Sequence, residues 1–401
     1  MLKLAQEKLD VQNKSRANIF NWRGQFTPQF VDYLLDSFSK PGDVIIEPFS
    51  GSGTVLLESA RKNLSCYGYE INPAAYAMSK FFTFANTSGE ERREILAAFE
   101  EKFLKLLPDA QGLPLFIDSG EFRQSYRNLI EFSRTLFGHI KDDKRQKVLA
   151  LNTLFLAESN KKLDLRRALW ESFAYTKKVL LSLPYTDKTI SANLGDARLV
   201  HKACPVKGNI ILTSPPYINV FNYHQNYRAI IEETLGIDLL KVAQSEVGSN
   251  RKNRANRFKT VVQYCLDMEQ ALESFWHSLT EGGLIILVIG RESNVRKTPF
   301  YNGLIVKDLI RSMGGFYNIR NFERKFTNKF GNNIKEDIIV FEKNELSPRH
   351  NCARNVALKY LKTALYQVNP DIKKDIIAVI NDIDTIQPSP IFDLREVLRN
   401  A

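Results

Sequence analysis

The segment Glu47-Pro48-Phe49-Ser50-Gly51-Ser52-Gly53-Thr54 stands between an apolar run, Val44-Ile45-Ile46, and a stretch with helical spacing, Val55–Arg61. The apolar run is short and continuous, as a strand buried on both faces of a parallel sheet must be. Upstream, Phe30, Leu34, Leu35 and Phe38 recur at helical spacing, and Lys40-Pro41-Gly42-Asp43 ends that helix in a turn. Downstream, Ser65-Cys66-Tyr67-Gly68-Tyr69-Glu70 reads as the next strand. Strand, glycine loop, helix and strand within about 30 residues make a βαβ unit. Its right-handed crossover commits the chain to a parallel α/β sheet.

Further strands of that sheet are expected at Asn209–Leu212 and Gly283–Ile289, the second preceded by a helix over Met268–Leu279. Phe322–Phe326 and Asp337–Glu342 flank the polar stretch Asn328–Asn333 and predict an antiparallel hairpin at the sheet edge. Between Asn86 and Leu183 the apolar residues recur at helical spacing without a strand signal. A chain of 401 residues exceeds the size of about 250–300 at which one core stops growing, and this helical insertion accounts for part of the excess. Residues 1–18 read as a polar helical arm. The expected organisation is then four segments: 1–85, the arm and first half of the sheet domain; 86–188, the insertion; 189–343, the second half; and 344–401, a helical tail.

Hydrophobic residues make up 44% and charged residues 25%, a composition that excludes disorder. Lysine and arginine total 56 against 45 acidic residues, a net charge of +11. That excess nominates a polyanion, nucleic acid before a membrane surface, though a merely basic soluble protein remains open. The four cysteines, Cys66, Cys204, Cys265 and Cys352, form no CxxC pair, which removes the usual zinc spacings and makes a disulfide scaffold improbable. No apolar leader or window of about 20 apolar residues is found. A reduced, cytoplasmic protein without a membrane partner or a metal is the expectation.

Gly51 and Gly53 let a ligand approach the main chain closely. The loop is neither GxGxxG nor GxxxxGK[ST], so neither a dinucleotide pyrophosphate nor a nucleoside triphosphate is its natural ligand. Glu70, ending the next strand, suits ribose hydroxyls. A ribose-bearing cofactor without phosphates fits both, and a tight turn holding nothing stays open.

Thr213-Ser214-Pro215-Pro216-Tyr217 follows an apolar strand, where open α/β sheets place ligands. Two prolines supply no amide hydrogens and stiffen the bend. Ser214 Oγ and the Pro215 carbonyl can accept the two hydrogens of an amine on a planar ring, with the Tyr217 face for stacking. A stiffened loop with a core tyrosine is the plain alternative.

EPFSGSGT, YGYEINP (Tyr67–Pro73) and TSPPY, in this order, resemble the S-adenosylmethionine-dependent amino-methyltransferases of DNA. The serine before PPY is most similar to the N4-cytosine type. The resemblance covers a little over half the chain by rough count and implies a doubly wound, mostly parallel seven-stranded, Rossmann-like methyltransferase sheet with an antiparallel edge hairpin. It implies S-adenosyl-L-methionine as cofactor, held by Phe26, Thr27, Glu47, Pro48, Phe49, Gly51, Gly53, Thr54 and Thr213, with Glu70 on ribose and Asp196 on adenine. Packing for Phe26 and Phe49, and an exposed turn for Asp196, are the alternatives. Ser214, Pro215, Pro216 and Tyr217 become the catalytic set, acting on a base flipped from double-stranded DNA. The implied role is the modification enzyme of a restriction-modification system, with a cognate endonuclease as partner. Adenine-N6 methylation, an RNA base substrate and a silent nucleic-acid-binding subunit remain the competing readings.

Arg251, Lys252, Arg254, Arg257 and Lys259 fall in Ser249–Lys259, which has no acidic residue. They are expected on DNA phosphates, with a solvated surface as the alternative. Tyr223, His224 and Tyr227 line the pocket or cover it, and His224 as a general base is a minority reading. The insertion is favoured over the tail as target-recognition module, with dimerisation or bracing of the fold as its other uses.

Overall fold

The computed structural model describes residues 4–11, 15–108, 119–160, 164–218, 223–249, 253, 255–327 and 331–398. Its centre is a seven-stranded sheet built from β1 (Val44–Glu47), β2 (Ser65–Glu70), β3 (Ile190–Leu194), β4 (Gly208–Thr213), β5 (Leu279–Gly290), β8 (Phe316–Thr327) and β9 (Asn333–Lys343). The spatial order is β3-β2-β1-β4-β5-β9-β8. The first five strands in that order pair in parallel, and β9 pairs antiparallel with both β5 and β8. A separate hairpin, β6 (Glu292–Val295) and β7 (Thr298–Tyr301), follows β5.

Both faces of the sheet are covered, which explains its apolar runs. Side chains alternate between faces along a strand. Ile45, Leu212, Ile286 and Val340 join one core, whereas Ile46, Ile211, Ile285 and Phe341 join the other. Helices Pro28–Phe38, Thr54–Arg61 and Pro73–Phe81 supply buried residues to the first face, and Lys259–Ser278, Asn302–Met313 and Ala353–Ala364 to the second.

Between Asn86 and β3 the chain runs through the helices Gly89–Leu106, Ser119–Ile140, Lys144–Ser159 and Leu165–Ser182. Phe103 stacks on Phe173 with centroids 4.8 Å apart. Asn152 Nδ2 donates to the Ala77 carbonyl of the sheet-flanking helix at 2.9 Å. The first core runs unbroken from Ile45 through Met78 to Phe99 and Phe173, so these helices extend the core of the sheet domain and do not enclose one of their own.

The chain leaves β1 outward to β2 and β3, then returns to β4 on the other side of β1. This reversal opens a crevice beyond the carboxyl ends of β1 and β4, where α/β sheets take their ligands. The N-terminal arm differs from its expectation: its helix is Gln6–Asp10 and stops where Val11 turns left-handed at φ 44°. Among the described residues, no helix is long and apolar enough to cross a membrane.

Candidate active site

β1 ends at Glu47 because Pro48 has no amide to continue the ladder. The loop beyond it is fixed by Ser50 N donating to Tyr69 O (2.9 Å) and Gly53 N to Ser50 O (2.8 Å). Gly53 is needed twice over: its φ is 86°, and a Cβ there would lie 2.7 Å from Ser79 Cα. The Glu70 carboxylate closes the turn, Oε2 accepting from Gly51 N and Oε1 from Asn72 N, both at 2.8 Å. Burial pushes the Glu70 carboxyl up to about 7 against these amide donors.

Glu47 lies beside it. Burial, with Glu70 as neighbour, pushes the Glu47 carboxyl well above the usual range, and its Oε2 has no hydrogen-bond partner among the described residues although the residue lines the cleft. A buried carboxylate oxygen without a donor suits a cationic ligand group. Two acids at the strand ends of one turn thus provide one acceptor set for a cation and one for hydroxyls.

The cleft and the open solvent at its mouth together span about 1240 Å³. Its walls are Trp22–Phe26, the turn Glu47–Ser52 with Thr54, Glu70–Asn72, Gly195–Ala197, Ser214–Tyr217, Tyr223–His224 and Ser245–Ser249. Trp22 and Tyr223, both in its wall, stack on each other, centroids 5.5 Å apart and planes at 17°. Ser52 Oγ donates to Gln25 Oε1 at 2.7 Å, tying the segment before the helix Pro28–Phe38 to the glycine loop.

Ser214–Tyr217 leave the end of β4 into this cleft. Ser214 Oγ is 3.4 Å from Tyr217 Oη, which donates to Glu336 Oε1 at 3.4 Å. Behind it, Arg324 is 3.3 Å from Glu336 Oε2, with its guanidinium 3.9 Å over the Phe30 ring. Burial pushes the Tyr217 hydroxyl far above its ordinary value, so it stays neutral. Asn302, fully buried, accepts from Ile218 N at 3.3 Å and donates to Gly290 O and Ser293 Oγ, each at 2.9 Å.

Of the residues expected from sequence, Phe26, Glu47, Pro48, Phe49, Gly51, Thr54, Glu70, Asp196, Ser214, Pro215, Pro216, Tyr217 and Tyr223 line one cleft. Others stand behind it. Thr27 starts the helix Pro28–Phe38, its carbonyl accepting from Phe30 N at 3.1 Å, Gly53 shapes the loop, and Thr213 Oγ1 accepts from Phe49 N at 3.3 Å, joining β4 to the loop after β1. Tyr227 does not line the cleft: its ring packs on Phe155 at 4.5 Å and its hydroxyl donates to Asn21 O at 3.1 Å. Arg257 and Lys259 lie outside the cleft walls, Lys259 pairing with Asp382 at 3.5 Å. Arg251, Lys252 and Arg254 lie outside the described residues.

Asp196 lines the cleft, and its carboxylate is engaged by protein donors. Its Oδ1 accepts from Arg198 N and Nε (3.0 and 2.9 Å), and its Oδ2 from Arg198 Nη2 and Phe392 N (2.6 and 3.1 Å). A carboxylate offers about four acceptor sites, so none remains for an adenine amine. Arg198, 3% exposed, also donates to Ser389 O and Pro390 O, binding the C-terminal segment under the cleft. Sequence reasoning missed Arg198, Asn302, Glu336 and the Ser245–Ser249 wall. Only Arg198 carried a local signal, its place two residues beyond Asp196.

Residues 5–81, which include the glycine loop and Glu70, match the model of the N6/N4 family described as DNA methylase. The chain resembles the DNA amino-methyltransferases. Over 55 residues it is 40% identical to the type II methyltransferase M.MjaII of Methanocaldococcus jannaschii, a match spanning 14% of this chain and 10% of that protein. Among solved structures, TrmN from Thermus thermophilus is similar at 14% identity and TM-score 0.31, over 80% of this chain and 50% of that one. A putative rRNA methylase from Clostridium thermocellum is similar at 10% identity and TM-score 0.32, over 78% and 95%.

Proposed function

We propose that this protein is an S-adenosylmethionine-dependent DNA methyltransferase acting on the exocyclic N4 amine of a cytosine flipped out of the duplex. The observation that carries the reading is the meeting of two half-sites in one cleft: the Glu47/Glu70 pair at the β1–β2 ends and Ser214–Tyr217 at the end of β4. The orphaned Glu47 oxygen fits the cationic methionine half of the cofactor, and Glu70 fits its ribose. The adenine is assigned to the Gly195–Ala197 backbone, since the Asp196 carboxylate is saturated. Bound S-adenosylmethionine supplies a methyl group on a positively charged sulfur.

Ser214 Oγ and the Pro215 carbonyl accept the two amine hydrogens, which turns the nitrogen lone pair out of conjugation with the ring. Tyr217, neutral and buried, stacks on the base. No strong base is required, because the amine proton becomes acidic once the nitrogen is alkylated and then leaves to water. The protein contributes positioning and preorganised acceptors. The family match and the relative named a type II methyltransferase support a modification enzyme paired with a restriction endonuclease.

The test is methyl transfer from labelled S-adenosylmethionine to mixed-sequence duplex DNA and, in parallel, to structured RNA. Label in DNA, absent from RNA and abolished by Tyr217→Ala with cofactor binding retained, is the expected result. Label in RNA alone overturns the substrate class.

A further inference from the structure

The hairpin β6–β7 carries a feature that neither the sheet nor the cleft explains. Val295 pairs with Thr298, leaving Arg296 and Lys297 as a two-residue loop in which both residues are left-handed, at φ 50° and 65°. Such loops strongly favour Asn-Gly, because a Cβ is strained in this conformation. Here two exposed cations occupy the positions instead. Strain of this kind persists only where the surroundings impose it, and it concentrates at functional positions. The surroundings do impose it: Val295 and Phe300 are buried, Phe300 packs on Phe258 at 6.2 Å, and Asn302 anchors the hairpin base.

The hairpin stands on the cleft. β5 ends at Gly290 under the Tyr217 ring, and Asn302, just after β7, holds the amide of Ile218. Four residues of β6 at about 3.3 Å each put the turn within roughly 13 Å of that base. The turn also meets the basic run. Arg296 pairs with the Asp375 carboxylate, while the Asp375 carbonyl accepts from Asn256 Nδ2 at 2.8 Å. Ser249, at the start of the run, lines the cleft, and Phe258, near its end, packs on Phe300 of this hairpin. Lys373 and Lys374 are exposed on the same helix as Asp375. Arg296 is neutralised by Asp375, whereas Lys297 has no ion pair among the described residues.

We propose that Lys297 is a phosphate-contacting residue for duplex DNA, held at the tip of a strained hairpin beside the base-binding cleft. This rests on the DNA reading above. With a rise of about 3.4 Å per nucleotide, its reach corresponds to a phosphate a few nucleotides from the flipped base.

Lys297→Gly separates the two roles of the residue, because glycine relaxes the turn while removing the charge. Duplex binding is measured against salt concentration for the wild type, Lys297→Gly and Arg296→Asn, together with thermal midpoints and cofactor affinity. The expected result for Lys297→Gly is an unchanged or higher midpoint, unchanged cofactor affinity and a log K against log salt slope flatter by about 0.9. The loss of affinity between 50 and 200 mM salt then shrinks about 3.5-fold, and Arg296→Asn leaves the slope close to wild type. A wild-type slope in Lys297→Gly, with the wild type binding duplex normally, overturns the contact and leaves the function intact. A wild type that binds no duplex overturns both.

Discussion

The ring of Tyr217 rests directly on Gly290: a Cβ at that position would come within 2.5 Å of the ring's Cε2 and 2.8 Å of Cζ. The last residue of β5 therefore sets the depth at which the stacking face sits, and only a residue without a side chain leaves that depth unchanged. Gly290→Ala is expected to push the ring toward the substrate. Displacements of about 1 Å can cost 100-fold in rate, so methyl transfer should fall by about that factor. Isothermal titration should show cofactor affinity within about twofold of wild type, because the Glu47/Glu70 half of the cleft is untouched.

Glu70 gives the cleft a pH dependence. Burial raises its carboxyl from 4.5 to about 7, so between those values the folded protein holds a proton that the unfolded chain has lost. This group's contribution to stability therefore falls as pH rises from 4.5 to 7 and is flat above. Hydroxyl donors need the ionised form, so cofactor affinity should climb with pH up to about 7 and then level. Glu70→Gln should bind more weakly and lose that rise, which titrations from roughly pH 5.5 to 8.5, about 1.5 units either side of the Glu70 value of about 7, would read.

Arg198 ties distant parts of the chain together. Its side chain reaches Asp196, Asp267, Ser245 O, Ser389 O and Pro390 O, and burial holds Asp267 up at about 6 despite that guanidinium. Removing one partner of a buried ion pair costs about 3–5 kcal/mol. Denaturant unfolding of Arg198→Ala should show a loss of that size, and Arg198→Lys should not restore it, since an ammonium cannot reproduce a planar five-donor fork.

The parts legible in the sequence are those whose physics is local. β1, β4 and β5 are buried on both faces and therefore read as apolar runs, and the glycine loop, Glu70 and TSPPY are short motifs at strand ends. β3 escaped notice because it is the edge strand, where Ser191 and Asn193 are only partly covered. β6 and β7 escaped because Ser293, Asn294 and Pro299 break any strand pattern. The contacts that finish the cleft are remote in sequence: Arg198 meets Ser389 across 191 residues, and Asn302 meets Ile218 across 84. No local pattern encodes such pairs, and the saturation of Asp196 by Arg198 and Phe392 becomes visible only once the tail is packed.

We propose that Ser214–Tyr217 present an exocyclic amine of cytosine to a methyl donor held by Glu47 and Glu70, a proposal open to a nucleoside digest. Its most direct measurement is enzymatic digestion of labelled duplex DNA to nucleosides after incubation with the protein and methyl-labelled S-adenosylmethionine. Label is expected in N4-methyldeoxycytidine, lost on replacing Tyr217 by alanine. Label in N6-methyldeoxyadenosine, or duplex DNA that stays unlabelled, would contradict it.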